Sequence, residues 1–354
     1  LVFNQTPFYP EGGGQVGDTG FIEHNGEKTI IFDTKKENNL IIHLTEKLPE
    51  FPGSDFDAHV NVSKRALTTA NHSATHLLHH ALRTVLGTHV EQKGSLVNEK
   101  NLRFDFSHFS KVTAEELKEI EDIVNREIKA GIALQEHRNV AIEAAEQMGA
   151  MALFGEKYGD SVRVIQFGPS LELCGGTHVN NTSQIGLFKL TAESAVAAGI
   201  RRIEAITSTT AENLLTEKAE KLDAINSLFK NPKDLKAVVE DMIQKNHAYQ
   251  KQIEVFQREK GQLVKADLKT KVELINGINY LGEKVNLDAG NIKDILHQLK
   301  GEFNNFVAVL GGIEDDKCNL TLIISENIVA EKGLDAGKII RTLSTHIQGG
   351  GGGQ

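Results

Sequence analysis

Cysteine is scarce in this chain: Cys174 and Cys318 are the two present in 354 residues. That supply excludes a disulfide framework and fits a reducing compartment, so a cytoplasmic location is expected. Positive charge is not in excess either. Lys and Arg number 39 against 48 Asp and Glu, and the net charge of −9 excludes a bulk electrostatic grip on nucleic acid. Any RNA contact must then be local, through clusters such as Lys64-Arg65 and Arg201-Arg202. No apolar run is long enough for a membrane span and no secretory leader is recognisable, so no membrane partner is expected. Two catalytic signatures are missing as well. Ser73 stands after His72 where a helical zinc-protease motif needs Glu, which disfavours peptide hydrolysis. No Gly-Lys-Ser/Thr follows the glycines at 12–14, so that stretch does not read as a phosphate loop.

With 25% charged and 40% hydrophobic residues the chain is expected to be globular, in two or three domains. Its chemistry is concentrated in two places. Cys174-Gly175-Gly176-Thr177-His178 encloses two glycines, which suit a tight turn whose backbone passes close to something. Upstream, His72 and His76 lie in a run from Lys64 to Leu78 that reads as a helix. A spacing of four puts both rings on one face, one turn apart. Alone, either pair is more often ordinary core or surface histidine. Together they make a His₃Cys set, His72, His76, Cys174 and His178, suited to Zn²⁺ at near-tetrahedral geometry. His79 and His80 point away from the 72/76 stripe or lie at its margin, and His89 follows the helix-ending Gly87, so none is expected as a ligand. Cys318, in a strand-like run, is most simply a core residue.

The fold class expected is multidomain α+β. Residues 1–60 alternate short apolar runs, Thr29–Phe32 and Leu40–Leu44, with Gly, Asn and Pro turns, as a small β-barrel would. Within them Thr6–Gln15 holds three glycines beside two prolines and two aromatics, more than a hairpin needs. A substrate-facing loop containing Gly13, Gly14 and Gln15 is expected there. Residues 61–208 alternate helix and strand in a two-layer domain that holds the metal set in one cleft. Thr113 with Glu116 is a capping box, followed by a core-facing stripe at Leu117, Ile120, Val124 and Ile128. Residues 209–275 are rich in Lys, Glu and Leu and broken at Pro232; Leu235, Val239, Met242, Tyr249, Ile253, Phe256 and Leu263 follow a coiled-coil seam that Asn246 and Lys260 interrupt. A helical hairpin explains this pattern as well as a dimer does. Residues 276–354 mix strands and helices and stop at Gly349–Gln354, where a domain cut short is expected. The start at Leu1, in mid-strand, fits a piece of a longer protein.

Five stretches occur in order: Thr6-Pro-Phe-Tyr-Pro-Glu-Gly-Gly-Gly-Gln15, His72-x-x-x-His76, Gln92-Lys-Gly-Ser-Leu-Val97, Leu102-Arg-Phe-Asp-Phe106 and Cys174-Gly-Gly-Thr-His178. In these the chain resembles alanyl-tRNA synthetases, over essentially its whole length. The resemblance implies an editing domain and a C-terminal globular domain (C-Ala), without the aminoacylation domain and its ATP site. It further implies hydrolysis of mischarged Ser-tRNA-Ala and Gly-tRNA-Ala. By the same resemblance Thr6 is the group that reads the serine hydroxyl, and Gln92 places substrate or water. Gly175, Gly176 and Thr177 would contact substrate with Gly13, Gly14 and Gln15. Whether zinc activates or positions is left open by a closed four-ligand site, and Asp105 is weighed as a partner for a ligand histidine or as a strand-end turn residue. The implied partner is tRNA-Ala, with its acceptor end at the editing site and its outer corner at the C-terminal domain. A homodimer through the C-terminal segment is a further expectation. Two other readings remain, a non-catalytic tRNA-binding module and a free-standing trans-editing protein of the AlaX type.

Overall fold

The computed structural model describes residues 1–152, 159–314, 317–347 and 349–353, in two compact units, Leu1–Ile225 and Asn226–Gln354. The first unit opens with β1 (Gly20–His24), β2 (Glu27–Ile31), β3 (Asp33–Glu37), β4 (Leu40–Leu44) and β5 (Asp57–Val60). β1 pairs antiparallel with β2 and with β5, while β3 and β4 form a separate hairpin. The expected barrel is therefore corrected: among the described residues no sheet closes on itself. The hydrogen-bonding groups that closure would need are taken by the irregular segment before β1. Leu1 and His43 exchange backbone bonds, and the N–H of Glu11 donates to Thr34 O at 2.8 Å.

The zinc-candidate helix is α1 (Val62–Leu86), started by Asn61, whose side chain accepts from Lys64 N, and ended at Gly87. β6 (Gln92–Val97) and β7 (Leu102–Ser107) follow, then α2 (Ala114–Lys129), whose capping box is formed as the sequence pattern expects. The chain continues through β8 (Gln135–Ala141), α3 (Ile142–Gln147), β9 (Ser161–Phe167), β10 (Ser170–Leu173), β11 (Phe188–Ala197), β12 (Ile200–Thr207) and α4 (Ser208–Leu228). Two antiparallel sheets result, in strand orders β11-β12-β7-β6 and β10-β9-β8. One core joins α1 (Leu77, Leu78, Leu82), β7 (Phe104, Phe106), α2 (Ile120, Val124) and β11 (Phe188). Each such fully buried side chain contributes about 1.5–3 kcal/mol, so α1 is held as the central rod of the unit. Every residue from Ala70 to His79 on α1 is buried, which places His72 and His76 where no bulk water competes for them.

The second unit contains α5 (Leu235–Thr270), capped by Asp234 just after Pro232. Then come β13 (Glu273–Ile275), β14 (Ile278–Lys284), α6 (Ala289–Glu302), β15 (Phe306–Glu314), β16 (Lys317–Ile324), α7 (Glu326–Lys332), α8 (Ala336–Ser344) and β17 (Gly349–Gly353). They build one mixed sheet in the order β13-β14-β15-β16-β17. Period-2 alternation divides β15: Phe306, Ala308 and Leu310 meet α6, while Val307 and Val309 face the cluster of α7 and α8. The glycine run expected to mark a truncated domain is an edge strand, paired parallel with β16; Gln354 lies outside the described residues. No helix among the described residues is long and apolar enough to cross a membrane.

Candidate metal centre

His72, His76, Cys174 and His178 come together from two elements. The first pair lies on α1, and the second in the turn that leaves β10, and all four ligand atoms lie within 4.8 Å of one another. Cys174 Sγ is 3.4 Å from His72 Nε2 and 3.2 Å from His178 Nε2. His79, His80 and His89 stay outside the group. Their partners are Glu172, Glu127 and His108 respectively.

Each imidazole is oriented by what its other nitrogen meets. His72 Nδ1 lies 2.6 Å from Gln15 Oε1, and that oxygen also accepts from Thr177 N at 3.0 Å. The proton of His72 therefore sits on Nδ1, and the Nε2 lone pair faces the cluster. Ser73 Oγ donates to Thr69 O and accepts from Val179 N, so His178 Nδ1, 3.2 Å away, donates to it. His76 Nδ1 faces Glu172 Oε2 at 3.3 Å, without hydrogen-bond alignment, while His79 Nδ1 donates to Glu172 Oε1 at 2.9 Å. Such partners fix tautomer and ring orientation at metal sites.

Burial, reinforced by neighbouring imidazoles and Arg163, holds His72 and His178 well below the ordinary 6.5 and lowers His76 too, despite the opposing pull of Glu172. All three are neutral near pH 7, the form that binds metal. Burial would raise the Glu172 carboxyl. His76, His79 and the His79 hydrogen bond outweigh it and hold that carboxyl below its ordinary value. Three neutral imidazoles and a thiol, all drawn to one point, with His72 and His178 hydrogen-bonded at their far nitrogens and His76 facing Glu172, match the donor chemistry of Zn²⁺.

The turn itself explains its glycines differently. A Cβ on Gly176 would stand 2.0 Å from His72 Cε1, so only glycine lets the backbone pass the ring; a Cβ on Gly175 would meet nothing within 4 Å. Arg163 braces the turn, donating to Cys174 O at 3.2 Å and Gly176 O at 2.6 Å, and is itself paired with Glu136.

The Gly-rich stretch docks beside this turn. Gly12 and Gln15 exchange backbone bonds, and Val97 N donates to Gly14 O at 2.7 Å, which ties the loop to β6. Gly14 lies at φ +80°, where a Cβ would strike Ser95 O at 2.8 Å. A cavity of about 370 Å³ opens between the two glycine-rich stretches, lined by Tyr9–Gly13, Lys36 and Cys174–Gly176. Gln15 and Thr177 are joined, with Gln15 Nε2 donating to Thr177 Oγ1 at 2.9 Å; the Gln15 side chain is buried and spent on His72 and Thr177. Thr6 Oγ1 bonds His43 Nε2 at 2.7 Å, and Gln92 lines a different cavity of about 280 Å³, with His79 and Arg83. Asp105 forms a two-pronged pair with Arg202, so it partners no ligand histidine. That part falls to Gln15, Ser73 and Glu172, which sequence reasoning did not single out for it. Glu172 lies on β10 two residues before Cys174, a spacing that would return to the same face if the strand ran on, and this was the one available signal.

Comparison with known proteins gives three family matches. The profile "Threonyl and Alanyl tRNA synthetase second additional domain" matches residues 162–204, spanning β9 to β12 and the Cys174 turn. The profile "tRNA synthetases class II (A)" matches residues 1–61, and "DHHA1 domain" matches 277–354. The chain is 53% identical over 357 residues to the alanine–tRNA ligase of Cytophaga hutchinsonii, covering 100% of this chain and 41% of that protein. It is 51% identical to that of Christiangramia forsetii and 52% identical to that of Bacteroides fragilis, each over 355 residues and again with 100% of this chain and 41% of the relative covered. The chain thus spans about two fifths of the length of these curated relatives.

Proposed function

This chain belongs to the alanine–tRNA ligase family, and we propose that its histidine–cysteine centre marks a proofreading site for the ester of seryl- or glycyl-tRNA-Ala. The observation that carries the reading is the cavity between Gly12–Gly13 and Cys174–Gly176, one wall of which holds a member of the ligand cluster. An activation pocket that accepts alanine cannot strongly exclude glycine, and serine adds only a hydroxyl, so a second, hydrolytic site is needed. Zinc is the proposed metal, held by His72, His76, Cys174 and His178; when bound it supplies a fixed positive charge for placing substrate oxygen or nitrogen.

The chain's own residues do the selecting. His43 Nδ1 meets Leu1 O at 3.3 Å, so its Nε2 accepts from the Thr6 hydroxyl, and Thr6 Oγ1 also accepts from Phe8 N at 3.1 Å. One lone pair of Thr6 is left to accept from a serine hydroxyl; alanine would leave it unpaired. Gln92, which the resemblance assigns to substrate or water, lines the separate cavity with His79 and Arg83 and is given no step at this ester. In the reaction the water oxygen bonds the carbonyl carbon, the carbonyl–ribose bond breaks, and the ribose oxygen takes up a proton. Aminoacyl esters are already activated, so positioning supplies most of what the step needs. In this reading residues 1–60 and 61–208 form the editing half, and 276–354 meets the outer corner of tRNA. The exposed seam Met242, Tyr249, Ile253, Phe256 and Leu263 on the 209–275 segment takes a second copy of the chain.

The test is deacylation of Ser-tRNA-Ala and Ala-tRNA-Ala by the chain and by Cys174→Ala, with bound zinc measured in both. Selective hydrolysis of the seryl ester, lost in the variant, is expected. No turnover at full zinc occupancy, with tRNA still bound, would reduce the chain to a binding module.

A further inference from the structure

We propose that Lys36 is the phosphate-binding residue of the cavity, pairing with the phosphodiester that precedes the terminal adenosine. The inference rests on the editing reading above and adds to it the group that recognises nucleic acid rather than amino acid. Four cations stood out in the sequence as RNA contacts, and all four are engaged within the chain. Arg65 pairs with Asp18, Lys64 with Glu99 at 4.0 Å, Arg201 with Glu193, and Arg202 with Asp105 at 2.6 Å. Lys36 differs. It lines the cavity beside Cys174–Gly176, is exposed, and makes no ion pair with any described carboxylate.

The local fold sets this up. Successive residues of a strand point to opposite faces, so Lys35 meets Asp33 at 3.8 Å and Glu11 at 3.9 Å, and leaves Lys36 to the other side. The carboxylate of Glu11, which also lines the cavity, is thereby matched by Lys35 and not by Lys36. Because β3 and β4 form a hairpin outside the three-stranded sheet, Lys36 is carried to the cavity by the Glu11–Thr34 backbone bond. Tyr9 and Pro10 on the same wall offer apolar faces on which any base can stack. An ester seated at the cluster must bring its ribose and the preceding phosphate through this opening. In a chain of net charge −9, a single unmatched ammonium there is a strong local determinant.

The experiment compares the chain with Lys36→Ala and Lys36→Arg on two substrates, Ser-tRNA-Ala and O-seryl-adenosine, which carries no phosphate. Binding of an RNA minihelix ending in CCA is measured alongside, as a function of salt. For Lys36→Ala we expect KM on the tRNA to rise about tenfold with seryl-adenosine hydrolysis unchanged, and the salt slope of minihelix binding to shrink by about 0.7, one phosphate of single-stranded RNA. Lys36→Arg should recover both. Equal activity of Lys36→Ala and native on both substrates, or equal loss on both, overturns the assignment. A native chain that hydrolyses neither ester defeats the editing reading alone; the salt slope then decides Lys36, and an unchanged slope or no measurable minihelix binding overturns it.

Discussion

Gly175 and Gly176 are neighbours in one turn, yet the space around them makes them unequal. An added methyl at Gly176 would occupy the position of the His72 ring, whereas at Gly175 it would enter open space. Gly176→Ala should therefore displace a ligand and lower zinc affinity at least as much as loss of a ligand-orienting partner, about 10–100-fold, while Gly175→Ala keeps full occupancy. Competition with a chromophoric chelator measures both, and equal affinities would sink the steric argument. The four residues that cluster were legible as a set, because His-x-x-x-His on a helix and Cys-x-x-x-His on a turn obey spacing rules. Of the groups that orient them, Glu172 had only its i, i+2 spacing to Cys174, and Gln15 and Ser73 had no such signal. Gln15 stood out only as part of a glycine-rich loop, and its side chain is bound to His72, 57 positions away; no local pattern encodes a pairing at that distance.

Elements were legible where a local signal fixes them. The capping box at Thr113 and the Gly87 stop define α2 and α1 as expected, since one side chain or one glycine decides a helix end. The barrel was not legible, because closure depends on which strands pair. Here the segment before β1, which has no strand pattern of its own, bonds the outer edges of both β3 (Glu11 to Thr34) and β4 (Leu1 with His43). The seam on α5 is a periodic signal of another kind. Its positions Met242, Tyr249, Ile253, Phe256 and Leu263 are 51–74% exposed in the single chain. A second copy burying that stripe predicts a mass in sedimentation that rises with concentration toward a dimer, and a return to monomer in Ile253→Lys, which puts a charge in the seam. A concentration-independent monomer would remove the dimer.

For the whole molecule, the metal centre and the sheet of the second unit belong to separate apolar clusters, so the metal should stabilise one of them. Saturating zinc at a hundred times its dissociation constant stabilises the state that binds it by about 2.7 kcal/mol. For a unit of this size that is a shift of about 5–10 °C in one calorimetric transition, with the other unmoved by chelation. pH should act on the same transition, with a definite sign. His72, His76 and His178 have folded-state values below the ordinary 6.5, so the unfolded chain takes up protons first as pH falls. Stability from these groups is complete above about pH 6.5 and drains away as pH drops through 6.5 toward the lowered values. Protons also displace the metal over that range, since each imidazole must be neutral to bind. Between pH 7.5 and 5.5 the zinc-dependent transition should fall in temperature and its chelator sensitivity should vanish. If it instead rose on acidification, the three histidines could not be the buried, neutral donors that the geometry makes them.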